Sequence, residues 1–176
     1  MGRATVRAAV ASLLSNGAVP YVGQVYPARP VIMQEQDYEF YMVGQAAVYV
    51  SSTNGSAAVL VVNIPQSERQ RRADTGRGFV NDSAIHSVVL EVFFASVGGE
   101  GIAAQADHDT ITDAIVTLVR SSPTLANRVW SSGEFDAGVR VDEGEPYTDE
   151  AGLTVFIPTT IHWQVYEWDA GAAGTV

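Results

Sequence analysis

Cysteine and lysine are both missing from this chain of 176 residues. Without cysteine neither a disulfide frame nor a thiolate metal centre can form, and redox chemistry says nothing about compartment. Packing alone must hold the fold. Charge is also scarce: 17% of residues are Asp, Glu, Lys or Arg, against roughly 25% in ordinary globular domains, so some surface is expected to be hidden against partners. No run approaches the roughly twenty apolar residues of a membrane span, and no membrane association is expected. The start, Met1 to Asn16, places Arg3 and Arg7 before an apolar stretch but reads as an amphipathic helix, not a signal peptide, because Val6, Val10, Leu13 and Leu14 share one helical face. The myristoylation pattern fails because Val6 stands where Ser or Thr is required.

What is present is unevenly distributed. The formal net charge is -10, all ten basic residues are Arg, and the stretch Glu134 to Val176 holds nine acids against Arg140 alone. Such a balance argues against general duplex-DNA binding, which depends on neutralising phosphates. Four of the arginines, Arg69, Arg71, Arg72 and Arg77, crowd into Pro65 to Ile85, a polar segment between two strong strand patterns. Long connections without apolar periodicity are uncommon in compact domains and tend to bind something. Arg and aromatic residues are frequent interface anchors, so these arginines with Phe79 are expected to form a partner-ordered arm. As two extended strands of roughly ten residues each, it would reach about 30 Å.

The order of elements follows from punctuation and period. Asn16-Gly17 and Pro20 stop the first helix, and Tyr21 to Tyr26 follows as a short strand. Pro27 and Pro30 bracket Arg29 in an extended linker, and Tyr38 to Val43 is a possible second strand. Ala47 to Ser51 and Ala57 to Asn63 flank Asn54-Gly55, the pair suited to a type I′ hairpin turn. His86 to Ser96 is apolar on both faces, as in a central strand. Asp107 or Asp109 is placed to cap a helix carrying Ile111, Ile115, Leu118 and Val119, and Ser122-Pro123 to open a further helical turn or two that ends at Gly133. Val139 to Val141, an acidic loop from Asp142 to Gly152, and a closing strand from Thr154 to Trp168 complete the chain, with Pro158 requiring an edge or a bulge. Together these predict a single α+β domain over residues 1–169, with one mainly antiparallel sheet, helices packed on one face, a long arm or hairpin at 65–85, and a flexible tail at 170–176.

Candidate chemistry is sparse. Asp107, His108, Asp109 and Asp113 bring imidazole and carboxylate donors close together, but acids near a helix start are expected from capping and the helix dipole, and His86 and His162 supply no obvious further ligand. There is no G-x-S-x-G elbow, and Gly76-Arg77-Gly78 lacks the lysine and spacing of a phosphate loop. The acidic loop residues Asp142, Glu143, Glu145, Asp149 and Glu150 miss the calcium-loop pattern. Asn54-Gly55-Ser56 and Asn81-Asp82-Ser83 match the glycosylation sequon without a secretion signal. Trp163, Tyr166 and Trp168 alternate across the closing strand, which makes Trp163 and Trp168 candidates for a strand-edge interface. No catalytic residue, cofactor or metal is expected.

Taken in order, the Arg3 to Ser15 helix, the hairpin around Asn54-Gly55, the long arm, the strand from His86 to Phe94, the Asp109 to Gly133 helical region and the Thr154 to Trp168 strand resemble the tail terminator family of long-tailed bacteriophages. The resemblance rests on the order of elements across most of the chain and not on a diagnostic motif. It implies a virion protein of the neck, assembled in the host cytoplasm as a ring, usually sixfold, that ends tube polymerisation and joins the tail to the head connector. Partners would be further copies of the chain, the tail tube protein and a connector or stopper protein. DNA would pass through without specific binding, past a lumen for which Asp142, Glu143, Glu145, Asp149 and Glu150 are candidates. The alternatives are another neck component, such as a head-completion or stopper protein, and a metal-dependent hydrolase in which His108 and its acids converge with His86 or His162.

Overall fold

A computed structural model describes residues 2–31, 38–53, 55–73, 80–98, 101–125, 131–132 and 138–169; at 39, 51–53, 70–73, 80–82, 131–132 and 168–169 it describes the backbone alone. The elements run α1 (Arg3–Asn16), β1 (Val22–Tyr26), α2 (Tyr38–Thr53), β2 (Ser56–Ala73), β3 (Val80–Val97), α3 (Gly101–Ser121), β4 (Ser131–Ser132), β5 (Arg140–Glu143), β6 (Tyr147–Thr148) and β7 (Thr154–Asp169). This is an α+β fold built on one sheet in the order β1-β2-β3-β7-β4, with β5 and β6 also pairing β7. Every pairing is antiparallel except that of β1 with β2.

The sheet's two faces are covered by different helices. On one, Val6, Val10 and Leu14 of α1 and Ile111, Ile115 and Val119 of α3 meet Leu60, Val62, Leu90, Phe94, Ile161 and Trp163. On the other, Tyr38, Met42, Ala46 and Val50 of α2 meet Ala57, Val59, Val61, Phe93, Ala95 and Phe156. Helices were expected on one face only; α2 takes the second face, and that accounts for the two-sided burial of β3. The strand alternates between buried and half-buried from Ser83 to Leu90 and is buried at every position from Glu91 to Ser96, where α2 overlies it.

That helix overturns two expectations. Tyr38 to Val43 is not a strand, and Ala47 to Ser51 is not one arm of a hairpin; both belong to α2. The spacing Tyr38, Met42, Ala46, Val50 sets one residue per helical turn against the sheet. Aromatic and β-branched neighbours mimic a strand in windows of six, but tertiary burial decides. The partner of β2 is instead β3, joined in register from Ser56↔Ser96.

Two further corrections concern α3. It begins at Gly101, so Asp107 and Asp109 lie inside the helix and not at its cap. Ala103, Ala104, Gln105 and Ala106 are strong helix formers and carry it upstream. Beyond it, Pro123, Thr124 and Leu125 form a turn, with Leu125 at φ 44, where further helix was expected. Residues 126–130 and 133–137 lie outside the described residues, and β4 at Ser131–Ser132 was not foreseen.

Pro158 sits where its missing N–H does no harm. It falls between β5, whose pairing ends at Glu143↔Thr159, and β6, whose pairing begins at Tyr147↔Phe156. A residue in an antiparallel strand points its N–H and C=O the same way. Since the Pro158 carbonyl accepts from Gly144 N at 2.8 Å, its nitrogen faces that gap and not β3. Gly144 is needed there, because a Cβ would stand 2.9 Å from the Pro158 ring and 3.0 Å from its carbonyl oxygen.

Candidate functional site

Both flanks of the arginine-rich segment are strand. The pairing of β2 with β3 continues to Ala73↔Val80, and β7 backs β3 as far as Asp82↔Asp169. Residues 74–79, which include Arg77 and Phe79, lie outside the described residues. Arg69 is exposed and stands opposite Ala84; the backbones of Arg71 and Arg72 stand opposite Asp82 and Asn81. Burial in β2 ends at Ile64, after which Pro65, Gln66, Glu68 and Arg69 are exposed. Because β1 pairs β2 only from Ala58 to Val61, the outer edge of β2 has no strand partner beyond Val61 among the described residues.

A bulge marks where the buried sheet gives way to this polar ribbon. The register slips between Asn63 and Gln66, so β2 gains one residue on β3. Pro65 falls inside the slip, where a missing ladder donor is tolerated. Since side chains alternate, one extra residue turns the rest of β2 over, and Ser67 arrives opposite His86 on the α1 side of the sheet.

The consequence is a polar chain across three strands. Arg3 Nε donates to Ser67 Oγ at 2.8 Å, Ser67 Oγ lies 2.7 Å from His86 Nδ1, and His86 Nε2 lies 2.9 Å from Glu167 Oε2. His86 and Glu167 are both buried. Buried polar groups of this kind are retained only when hydrogen-bonded, and here the chain ties the first turn of α1 to β2, β3 and β7 at the foot of the ribbon. The line Ser–His–Glu has the composition of a hydrolase relay. It lacks the setting, since Ser67 lies within a continuous strand and not on the sharp turn that exposes a nucleophile beside converging N–H donors.

The three histidines do not converge. His108 packs edge-on against Phe94, with ring centroids 5.5 Å apart, and its Nε2 meets Thr159 Oγ1 at 2.8 Å. His86 shares that face of the sheet but lies eight positions from Phe94 along β3. His162 is on the opposite face, since it alternates with Ile161 and Trp163, and its Nε2 is 3.4 Å from Asp142. Burial holds the His108 pKa below its usual value, only partly opposed by the carboxylates of Glu143 and Asp109.

The acidic residues behave individually. Asp142 sits in β5 and binds Arg140 at 2.8 Å, and Glu143 approaches His108 Nδ1 at 3.6 Å. Asp149 organises the turn before β7: its Oδ1 accepts from Leu153 N at 2.8 Å and Thr154 N at 3.3 Å. The hydrogen bond from Leu153 is the main reason its pKa is lowered. Glu145 and Glu150 are exposed. On the α2 side, a groove of about 820 Å³ is lined by Arg29, Tyr38, Glu91, Phe93 and Tyr147 among others. Arg29 Nη2 stands 2.6 Å from Glu91 Oε1 there, and Asp142 and Glu143 are also in the lining.

The strand-edge reading of Trp163 is corrected. Trp163 is 3% exposed within the core, and β7 is not an edge, because β3 lies on one side and β4, β5 and β6 on the other. Trp168 pairs Ser83 through its backbone, and its side chain lies outside the described residues. No described helix is long and apolar enough to cross a membrane.

No protein family and no curated protein matches the chain. Among solved structures it is similar to a chain of the virion of a native gene transfer agent particle, at 14% identity, over 92% of this chain and 94% of that chain, with a TM-score of 0.37.

Proposed function

We propose that this chain is a structural subunit of a phage-like particle, of the tail-terminator type: a ring, expected to be sixfold, that closes the tail tube at its head-proximal end and meets the head connector. The observation that carries the reading is the β2–β3 ribbon. Each strand has 18 residues, about 60 Å if fully extended, whereas a compact body of this chain length is roughly 40 Å across. Burial in β2 stops at Ile64, and the sequence of that strand beyond is rich in arginine. A paired ribbon whose outer edge has no strand partner beyond Val61 among the described residues suits association by strand addition to a neighbouring copy, a use that also removes an otherwise hazardous edge. Arg69, Arg71, Arg72 and Arg77 then meet the neighbour or the tube protein. Glu145 and Glu150, exposed and free of the engagements of Asp142, Glu143 and Asp149, are the better candidates for an acidic lumen that lets DNA slide. In this reading the chain catalyses nothing and needs no cofactor.

Light scattering on the purified protein, alone and with its tube protein, tests the assignment. A ring that forms alone or with the tube protein, and is lost when the four arginines become serine, supports it. A monomer that ignores the tube protein refutes it, and binding to the portal side instead would move the chain to a head-completion or stopper role.

A further inference from the structure

We infer that His108 Nδ1, Asp109 and Glu143 form a binding site for a first-row divalent cation of the Zn²⁺ class, at the seam between α3 and β5. The inference does not depend on the ring assignment.

Three donors converge, two from neighbouring positions of α3 and one from β5, more than thirty residues further along the chain. His108 Nδ1 lies 3.6 Å from Glu143 Oε1 and 3.7 Å from Asp109 Oδ1, and the three ligand atoms all lie within 4.8 Å of one another. These separations are too long for hydrogen bonds. They are close to those of donors sharing one ion, since two atoms each about 2.1 Å from a tetrahedral metal stand roughly 3.4 Å apart. A pair of exposed carboxylates would mean little by itself. The second observation is the imidazole: His108 is 0% exposed, and its Nδ1 has no hydrogen-bond partner among the described residues although both carboxylates lie within 3.7 Å of it.

The ring is also oriented as metal-binding histidines are. Its far nitrogen, Nε2, is held 2.8 Å from Thr159 Oγ1; with Nε2–H as the donor, Nδ1 presents a bare lone pair to the seam. In that tautomer the Nδ1 lone pair faces the carboxylate oxygens of Glu143 and Asp109, of which Asp109 Oδ1 also accepts from Gln105 Nε2 at 2.9 Å, and a cation between the three would offset their repulsion. One imidazole with two carboxylates suits Zn²⁺, Co²⁺ or Mn²⁺ better than Ca²⁺, which prefers six or more oxygens. Asp109 and Glu143 have side chains 57% and 45% exposed, so the remaining coordination positions open to solvent and take water. A bound ion would cross-link α3 to β5.

The test is metal uptake by the full chain after chelator treatment, measured by calorimetry with Zn²⁺ and by the visible spectrum with Co²⁺, alongside Ca²⁺. The expected result is one Zn²⁺ per chain, displacement of bound Co²⁺ by Zn²⁺, and negligible Ca²⁺ uptake. Asp109→Asn and Glu143→Gln, both at exposed side chains and so compatible with folding, are each expected to weaken Zn²⁺ by tenfold or more. Thr159→Val should weaken it by roughly tenfold through loss of the ring's support, and His162→Gln, on the other face, should leave it unchanged. The His108 ring nitrogen resonances should shift with Zn²⁺. No saturable uptake by the wild type, or affinity unaltered in Asp109→Asn and Glu143→Gln, overturns the site, and neither result bears on whether the arginine ribbon builds a ring.

Discussion

Arg29→Ala should destabilise the protein by about 2 kcal/mol, although the residue lies in a linker and its side chain is 53% exposed. The reason is Glu91, a carboxylate in the middle of β3 with a side chain only 11% exposed. Arg29 donates to Glu91 Oε1 from Nη2 at 2.6 Å and from Nε at 3.2 Å, and its guanidinium carbon lies 4.8 Å from the centre of the Tyr38 ring. Hydrogen bonds to charged groups contribute about 1.5–3 kcal/mol and an exposed cation–π contact about 0.5–1 kcal/mol. Solvent around the arginine discounts both, which leaves about 2 kcal/mol. For a chain of this size that corresponds to a fall in melting temperature of about 4–8 °C. The Tyr38 hydroxyl sharpens the argument: burial first and the Glu91 charge second raise its pKa, and Arg29 works in the opposite direction. Urea denaturation of Arg29→Ala, Glu91→Gln and the double variant separates the cases. If the loss comes from stranding a buried charge, adding Glu91→Gln to Arg29→Ala should recover at least half of it. A single variant within about 0.5 kcal/mol of wild type, the range of ordinary surface changes, refutes the reasoning.

Trp163→Ala should cost about 3–5 kcal/mol, as for other buried aromatics; a small loss in thermal unfolding, with assembly impaired instead, would return the residue to an interface. Asp149→Asn should be destabilising at neutral pH. The wild-type carboxylate has a folded pKa below its unfolded value, so its contribution is present above the unfolded value near 3.8 and disappears as pH falls through the depressed folded one. The stability gap between Asp149→Asn and wild type should therefore close on acidification; a gap that persists would mean that the side chain acts by shape and not by charge.

Elements that declare themselves within a few residues were legible. The first helix shows its face in Val6, Val10 and Leu14, and the closing strand shows alternation in Ile161, Trp163 and Val165, all of which enter the same core. Long-range decisions were not. Nothing near Tyr38 says that a second sheet face is vacant, and a helix with aromatic and β-branched residues is chosen only once that face exists. His108 and Glu143 are separated by the whole turn after α3 and by β4, so the cluster read from sequence gathered Asp107 and Asp113 in place of Glu143. In the structure Asp107 is occupied elsewhere, 2.6 Å from Ser56 Oγ.

The arginine segment shows why polarity misleads about strands. Apolar alternation reports which side chains leave water, but a ladder is made by backbone groups, and a strand can continue past its core wherever a neighbour continues to offer hydrogen bonds. β3 is flanked by β2 on one side and β7 on the other up to Asp82, so residues with no apolar period are carried along in register. The one local signal was Pro65. It falls where β2 gains its extra residue, and that slip decides which residues share a face: without it Ser67 would stand opposite the other side of the sheet from His86, and the hydrogen-bonded chain from Arg3 to Glu167 could not form. The same slip sets Arg69 opposite Ala84 and the backbone of Arg71 opposite that of Asp82. The proline that makes the segment look irregular thus fixes the register in which its arginines are presented.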